Sequence, residues 1–379
     1  MTEYEILRLL WWAVLGVLLI GIAVMDGFDM GSAILLPFVG RTDMERRIVI
    51  NTIGPVWEGN QVWLILGGGA IFAAWPAIYA VAFSGFYLAM LLLLLSLILR
   101  PVGFKYRSKL DGMRWRMLWD AALFLGGLVP ALVFGVAFGN VLQGVPFRLD
   151  DTMRMTYTGS LFGLFNPFAL LCGLVSVSML TMHGATWLAC KTEGAVRTRS
   201  QRAAFLAALI LAVLFLAGGV WAARLNGYVL QTFAGVDAAS NPLNKHVGRA
   251  IGALMANYSV VPVTIAAPVL GFAGALLTAL LVSLRRLRVL AWVTSALAIA
   301  GVIATAGVSL FPFLLPSSLD PNSSLMVWDA SSSAMTLLVM TVATVIFLPI
   351  VLAYTAWVYR VLRGPVTAAD IEADPHTSY

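Results

Sequence analysis

Residues 9–36 read LLWWAVLGVLLIGIAVMDGFDMGSAILL, and the only charged side chains in this stretch are Asp26 and Asp29. A helix needs about 20 consecutive apolar residues to cross the hydrocarbon core of a membrane. The stretch is longer than that, so it predicts a membrane-spanning helix near the N-terminus. We do not expect a signal peptide, because acidic residues precede the apolar run, which is also too long.

The composition of the whole chain extends this prediction. Of its 379 residues, 60% are hydrophobic and 11% are charged, and the mean hydropathy is +0.91. A soluble domain carries roughly 25% charged residues, so we predict an all-α polytopic membrane protein. The composition excludes disordered, collagen-like and disulfide-scaffold proteins. The net charge of +6 lies in short loops between apolar runs, which excludes nucleic-acid binding.

Nine apolar stretches are predicted to cross the membrane. They are Leu9–Leu36, Gln61–Ala74, Ile78–Leu99, Trp119–Leu142, Leu161–Ala189, Ala203–Ala223, Val261–Leu284, Val289–Phe311 and Ala334–Tyr359. The second is the weakest, because it is short and holds Gly67-Gly68-Gly69. No linker divides the chain, so residues 1–379 are predicted to form a single integral-membrane domain.

The basic residues of the loops predict the orientation of these helices. If the N-terminus is periplasmic and the C-terminus cytoplasmic, 18 of the 24 Lys and Arg residues lie on the cytoplasmic side. The remaining six are Arg8, Arg148, Arg154, Arg224, Lys245 and Arg249. Cytoplasmic loops carry an excess of Lys and Arg, so the 18-to-6 division supports this orientation and requires the second span.

The two carboxylates of the first span are the most informative polar residues. An Asp at the centre of a membrane helix costs about 2.5–3.5 kcal/mol on insertion scales. Asp26 and Asp29 are three residues apart, which makes them neighbours on one helix face. Gly27 and Gly31 form a G-x-x-x-G pattern on the same stretch, which lets another helix approach closely.

Two further charged residues are predicted at the same membrane depth. Glu58 stands just before the second span, and Arg100 ends the third. The four side chains together could form a polar cluster that admits protons. Alternatively, Asp26 and Asp29 only cap or pair with the loop ends, and Glu58 is simply solvated near the interface.

Histidine and cysteine show no metal-ligand pattern such as CxxC or HExxH. Cys172 and Cys190 fall on one predicted helix, about 27 Å apart at ~1.5 Å per residue, too far for a disulfide. His183 is the only histidine in a predicted span, since His246 lies in an external loop and His376 in the tail. We therefore expect no metal site, and no indispensable axial haem ligand from this chain.

A series of blocks along the chain resembles subunit 2 of the cytochrome bd quinol oxidases. The blocks are Asp26-Gly27-Phe28-Asp29-Met30-Gly31, Glu45-Arg46-Arg47-Ile48, Trp57-Glu58-Gly59-Asn60-Gln61-Val62-Trp63-Leu64, Phe72-Ala73-Ala74-Trp75-Pro76, Phe83-Ser84-Gly85-Phe86-Tyr87, Arg100-Pro101-Val102-Gly103-Phe104, Gly135-Val136-Ala137-Phe138-Gly139-Asn140, Ser240-Asn241-Pro242-Leu243-Asn244-Lys245, Phe311-Pro312-Phe313 and Trp328-Asp329. They cover nearly the whole chain in order, which is more specific than a single motif. The length and the blocks are closer to the longer proteobacterial ubiquinol-oxidase type.

The resemblance implies a complex in the bacterial inner membrane that oxidises quinol on the outer side and reduces oxygen to water with protons from the cytoplasm. It implies that subunit 1 carries haem b558, haem b595 and haem d, and that a small single-span subunit often joins the pair. It also implies two four-helix bundles plus one peripheral helix. A bound quinone or structural lipid stays open.

The resemblance also implies roles for particular residues. Glu58 matches a position that is usually Asp in the family and that belongs to a proton path at the subunit interface. Asp29 and Arg100 match polar positions near that path. Trp63 matches a residue near a lateral oxygen route, although a Trp near a span end is also typical of the aromatic belt. His183 departs from the family, which more often has a neutral polar residue there.

Two other functions are considered beside the oxidase subunit. A secondary transporter also uses buried Asp pairs and glycine-broken helices. An assembly scaffold without a role in the proton path is the third interpretation. Haem absorption distinguishes the transporter from the oxidase, and only variants distinguish the scaffold.

Overall fold

The computed structural model describes residues 1–284 and 287–373, and it is mostly helical. The charge count above includes Arg285 and Arg286, and the tail includes His376; these three lie outside the described residues. The helices are α1 Glu3–Met25, α2 Gly27–Val39, α3 Asp43–Ile53, α4 Trp57–Ala74, α5 Pro76–Gly85, α6 Tyr87–Tyr106, α7 Met113–Gln143, α8 Pro167–Lys191, α9 Gly194–Ala222, α10 Ala256–Val260, α11 Ala266–Ser283, α12 Arg288–Leu310, α13 Ala334–Val361 and α14 Ala368–Ala373.

The loops between the helices hold short antiparallel strands, which the all-α prediction missed. The strands are β1 Phe147–Leu149, β2 Met155–Tyr157, β3 Asn226–Phe233, β4 Lys245–Ile251, β5 Phe313–Leu315 and β6 Leu325–Met326. They pair as β1–β2, β3–β4 and β5–β6. Backbone polar groups need hydrogen-bond partners, and the pairing supplies them where the chain leaves a helix.

Eight helical segments among the described residues are long and apolar enough to cross a membrane. They are Glu3–Val39, Tyr87–Tyr106, Met113–Gln143, Pro167–Lys191, Gly194–Ala222, Pro262–Ser283, Arg288–Leu310 and Ala334–Val361. The first combines α1 and α2, with Asp26 at the junction. The predicted second span does form a helix, α4, but α4 is not among the eight because it begins with the polar residues Glu58, Asn60 and Gln61. The number of spans therefore stays a prediction.

The helix bounds differ from several of the predicted spans, and two cases show why. The stretch Ile78–Leu99 is not one helix: α5 ends and α6 begins around Phe86, whose φ of −92° and ψ of 19° depart from helical values. The stretch predicted from Leu161 begins as an α-helix only at Pro167. The side chain of Asn166 caps α8 by accepting a hydrogen bond from the Ala169 amide, and Pro167 is pre-set for a first helical position.

The second half of the chain packs as a closed group of helices. α8 packs against α9, α9 against α11, α11 against α12, and α12 returns to α8. Small residues allow close approach: a Cβ on Gly301 would lie 2.1 Å from the Gly271 amide nitrogen. Such small-residue contacts stabilise membrane helices, where van der Waals packing replaces the hydrophobic effect between helices.

The first half places α1 against α4, and α7 against α2 and α6. α13 lies against α1 and α4, and of its described residues only Leu337 is buried. The two halves meet where α2 and α7 pack against α8. The junction between α1 and α2, which carries Asp26 and Asp29, therefore lies in the centre of the molecule.

Candidate functional site

The junction of α1 and α2 buries an ion pair. Asp26 and Arg100 are both inaccessible to solvent. The Oδ1 and Oδ2 atoms of Asp26 accept hydrogen bonds from the two terminal nitrogens of Arg100 at 2.8 and 2.9 Å. Bidentate pairing of this kind is the strongest geometry available to arginine and a carboxylate. The structure thus brings together two of the predicted site residues across 74 positions of sequence.

Asp29 is equally buried but has different partners. Its Oδ2 atom accepts a hydrogen bond from the Asn60 side-chain amide at 2.9 Å, and its Oδ1 atom has no partner among the described residues. The Asn60 carbonyl oxygen in turn accepts from the Tyr359 hydroxyl at 2.7 Å. Three helices, α2, α4 and α13, are therefore linked through one carboxylate. Neither Asn60 nor Tyr359 stands out in the sequence.

Glu58 does not join this cluster. Its side chain is exposed, whereas Asn60, two residues later on α4, is buried. Two residues correspond to about 200° around a helix, so the two side chains point in nearly opposite directions. The expected group of three carboxylates and one arginine is therefore corrected to Asp26, Asp29 and Arg100. The polar residues around Glu58 indicated that part of this segment is buried among polar groups. They did not indicate which of the polar residues faces inward.

Trp63 is buried where α4 packs on α1. A Cβ on Gly21 would lie 2.4 Å from the Trp63 ring, so the glycine provides the space that the indole occupies. Leu18 and Ile22 complete the contact. The Trp63 side chain is therefore buried within the protein and does not belong to an exposed aromatic belt.

His183 has both ring nitrogens engaged. Nε2 lies 3.0 Å from the Val24 carbonyl oxygen, and Nδ1 lies 2.7 Å from the Ser295 hydroxyl. The residue is completely buried, and its ring stacks on Trp292 at 5.7 Å between centroids. With both nitrogens engaged, neither is available to coordinate iron.

A second charged cluster, at the start of α7, joins α3 to the connection between α6 and α7. Arg107 is buried and pairs with Asp120 at 2.5 Å and with Asp43 at 2.9 Å, and Arg46 also reaches Asp120 at 2.7 Å. Hydrogen bonding and charge from Asp120 outweigh the burial of Arg107 and raise the pKa of this guanidinium. From the sequence these arginines are only loop charges, and Asp120, whose side chain anchors them, was not predicted.

An apolar cavity of about 210 Å³ is lined by residues of α1 and α2 on one side and of α7, α8, α9 and α12 on the other. Its lining includes Met30, Phe134, Cys172, Phe215 and Ile303. In the described part of the chain, no group of three or more His, Cys, Asp or Glu side chains could hold a metal ion.

These features define the class: a polytopic helical membrane protein with a buried carboxylate–arginine site at a helix junction. The chain belongs to the cytochrome bd terminal oxidase subunit II family, whose sequence profile matches residues 7–362.

Individual relatives agree with this assignment along their whole length. The chain is 52% identical to the cytochrome bd-I ubiquinol oxidase subunit 2 of Escherichia coli K12 and 50% identical to a probable cytochrome oxidase subunit 2 of Haemophilus influenzae, with 100% of each chain covered in both comparisons. The Bacillus subtilis cytochrome bd ubiquinol oxidase subunit 2 is 32% identical over 94% of this chain and 96% of its own.

A solved structure shares the fold. A chain of the bd oxidase from Geobacillus thermodenitrificans superposes with a TM-score of 0.70, covering 94% of this chain and 98% of that one at 17% identity. At that identity the likeness supports the fold alone.

Proposed function

We propose that this chain is the second subunit of a cytochrome bd quinol:oxygen oxidoreductase in the bacterial inner membrane. The observation that carries the proposal is the full-length identity of 52% to a ubiquinol oxidase subunit 2, together with the family match. The complex oxidises quinol and reduces oxygen to water in the respiratory chain. The chain is not catalytic alone and requires subunit 1. The transporter alternative is not supported, because every relative reported above is an oxidase subunit.

Haem belongs to the complex, and we assign haem b558, haem b595 and haem d to subunit 1. The partners of His183 support this assignment, since Val24 and Ser295 engage both of its nitrogens. Haem supplies the electron transfer and oxygen reduction in such a complex, and the residues of this chain shape its surroundings. A small single-span subunit, a bound quinone and membrane lipid are further proposed partners.

The proposed topology has nine spans in a single membrane domain covering residues 1–379. α4 serves as the second span, and α5 and α6 together serve as the third. The 18 residues of α4 reach about 27 Å at ~1.5 Å per residue, close to the hydrocarbon thickness. Two four-helix bundles and the peripheral α13 account for the packing described above. The 18-to-6 division of basic residues supports a periplasmic N-terminus and a cytoplasmic C-terminus.

The proposed proton path uses the buried acids of the α1–α2 junction. Within the described residues, one carboxylate oxygen of Asp29 has no hydrogen-bond partner, while Asp26 and Arg100 balance each other's charge beside it. Glu58 is exposed on this chain and is proposed to face subunit 1, where it would pass cytoplasmic protons. For oxygen, we propose a lateral path near Trp63.

A visible absorption spectrum of the purified complex tests the function. We expect haem bands with a far-red d-type component, together with oxygen consumption driven by quinol. A colourless preparation that transports a solute would contradict the proposal. The scaffold interpretation predicts normal turnover in every proton-path variant that assembles.

A further inference from the structure

His183 connects the second group of helices to the α1–α2 junction. Its Nε2 atom reaches the carbonyl oxygen of Val24, two residues before Asp26. A carbonyl only accepts, so Nε2 carries the hydrogen, and in a neutral ring Nδ1 is then an acceptor for the Ser295 hydroxyl. The same hydroxyl also lies 2.7 Å from the Trp292 carbonyl oxygen, so the two acceptors share its one hydrogen. One imidazole thus ties α1 to α8 and α12.

Further contacts beside His183 hold the segment around Asp26 and Asp29 from its other end. Gly184 lies directly against α2, where a Cβ would come within 2.4 Å of the Gly31 carbonyl carbon and the Ser32 nitrogen. Phe28 contacts the His183 ring edge-on at 6.1 Å between centroids. His183 and Gly184 therefore contact α1 on the N-terminal side of the two acids and α2 on their C-terminal side.

The opposite side of the junction is held by Arg100, which pairs with Asp26. The position of Asp29 on α2 is then fixed from both sides, and this lets its Oδ2 atom meet Asn60 at 2.9 Å. The charged or titratable groups around Asp29 are Asp26 on the same segment, Arg100 on α6 and Tyr359 on α13.

We propose that His183 is a positioning residue for the Asp26–Asp29 segment: through its bond to Val24 it sets where Asp29 stands relative to Asn60 and Arg100. The inference rests on the proposed function, because it assigns His183 to the proton path of the oxidase. His183 touches no reacting atom and acts only through the helix junction. A displacement of about 1 Å at such a site can cost on the order of a hundredfold in rate.

The test compares variants in the assembled complex. His183→Leu removes both hydrogen bonds of the ring, and His183→Gln keeps a donor for the Val24 carbonyl. Ser295→Ala keeps the imidazole and removes its hydroxyl partner, together with the contacts of that hydroxyl to Thr186 and to the Trp292 carbonyl oxygen. Thr294→Val is the matched control, because the neighbouring Thr294 makes a similar buried bond to Thr278 at 2.9 Å, away from the junction. The measurements are haem bands, quinol oxidase turnover per haem and the pH profile of that turnover.

We expect His183→Leu to keep all three haem signals, to lose roughly ten- to a hundredfold in turnover and to shift the pH profile, which reports the essential ionisable groups. His183→Gln should recover most of the turnover, Ser295→Ala should show a smaller shift in the same direction, and Thr294→Val should match the wild type. Should His183→Leu fail to assemble, Ser295→Ala carries the test alone.

An unchanged pH profile and turnover per haem in His183→Leu, or in Ser295→Ala where only that variant assembles, would overturn the positioning role, as would an equal effect of Thr294→Val. Loss of one haem band from an assembled His183 variant would instead show a ligand role. These outcomes require an active wild-type complex. A wild type without haem or quinol oxidation would contradict the proposed function itself.

Discussion

Arg100 engages Asp26 with two hydrogen bonds and leaves the neighbouring Asp29 to the amide of Asn60. Two acids one helical turn apart thus occupy different electrostatic environments. Asp26 is matched by a full positive charge, whereas Asp29 has a neutral donor and one carboxylate oxygen without a partner among the described residues. From this difference we propose that Asp26 is the structural acid of the pair and that Asp29 is the one available for proton exchange.

The first prediction concerns the buried ion pair. Arg100→Gln leaves Asp26 buried without a counter-charge, and breaking a buried pair in this way costs about 3–5 kcal/mol. We expect less assembled, haem-containing complex and a lower apparent Tm. The double variant Asp26→Asn with Arg100→Gln should recover part of the loss, because it removes both charges. A double variant that is no better than Arg100→Gln would argue against charge pairing as the cause.

The second prediction concerns Glu58. Glu58→Gln keeps the size and hydrogen bonding of the side chain but removes its titratable proton. The complex should assemble and retain its haems, with turnover reduced towards the lower end of the 10²–10⁴-fold range typical of a lost acid–base group. Glu58→Asp is the control and should keep most activity. Oxygen consumption by the purified variants measures the effect, and near-normal turnover in Glu58→Gln would assign the protons to another route.

The third prediction concerns the backbone contact between α2 and α8. In Gly31→Ala the added Cβ would lie 2.0 Å from the Leu180 carbonyl oxygen, so the helices must move apart. Overpacking of this kind costs roughly 1–3 kcal/mol, and we expect a lower apparent Tm. Gly16→Ala on α1 is the matched control, because no heavy atom lies within 4 Å of its Cβ. Equal stability of the two variants would contradict the close approach.

The fourth prediction concerns the buried pair formed by Lys245 and Asp329, whose Nζ and Oδ2 atoms are 2.7 Å apart. Burial lowers the pKa of Lys245 and raises the pKa of Asp329, because leaving water penalises both charged forms. Asp329→Leu alone should cost about 3–5 kcal/mol, while the double variant with Lys245→Met should cost much less. Equal losses in the single and double variants would show that the pair itself is not the source.

The same pair predicts a pH dependence. The pKa of Asp329 is raised above the value of 3.8 that it has in the unfolded chain, so the folded state binds this proton more tightly. The contribution of this carboxyl to the free energy of unfolding therefore falls as the pH rises above 3.8. Apparent Tm measured against pH should therefore show a weaker dependence in that window for Asp329→Asn than for the wild type. An identical slope would contradict the raised pKa.

The fifth prediction concerns orientation. In a background with Cys172→Ala and Cys190→Ala, a membrane-impermeant thiol reagent applied to intact cells should label Asp151→Cys and spare Ala195→Cys. Both positions are exposed, the first in the turn between β1 and β2 and the second in the first turn of α9. The reverse pattern, or equal labelling, would overturn the proposed topology.

Two other positions suggest themselves from the sequence but suit this experiment less well. Ser323 falls in a predicted external loop, yet the structure buries it and its hydroxyl donates to Asp320 at 2.7 Å. Ser378 in the C-terminal tail lies outside the described residues. Exposure, and not loop position alone, determines which substituted cysteine can react.

The amino-acid sequence by itself determined the class of the protein and singled out two of its acids. Long apolar runs predict membrane helices because hydrocarbon cannot satisfy backbone polar groups outside a helix. A charge inside such a run is costly, so Asp26 and Asp29 stand out without any structure. The blocks from Asp26-Gly27 to Trp328-Asp329 also identified the family, which the full-length relatives confirm.

Only the tertiary structure decided which groups meet. Lipid is as apolar as the interior of a helix bundle, so the pattern of a membrane helix does not show which face is buried, and Glu58 and Asn60 could not be told apart. The partners of His183 lie 159 and 112 positions away in Val24 and Ser295. Such contacts arise because small residues such as Gly31 and Gly184 let the helices cross closely, and they depend on the packing of the whole bundle.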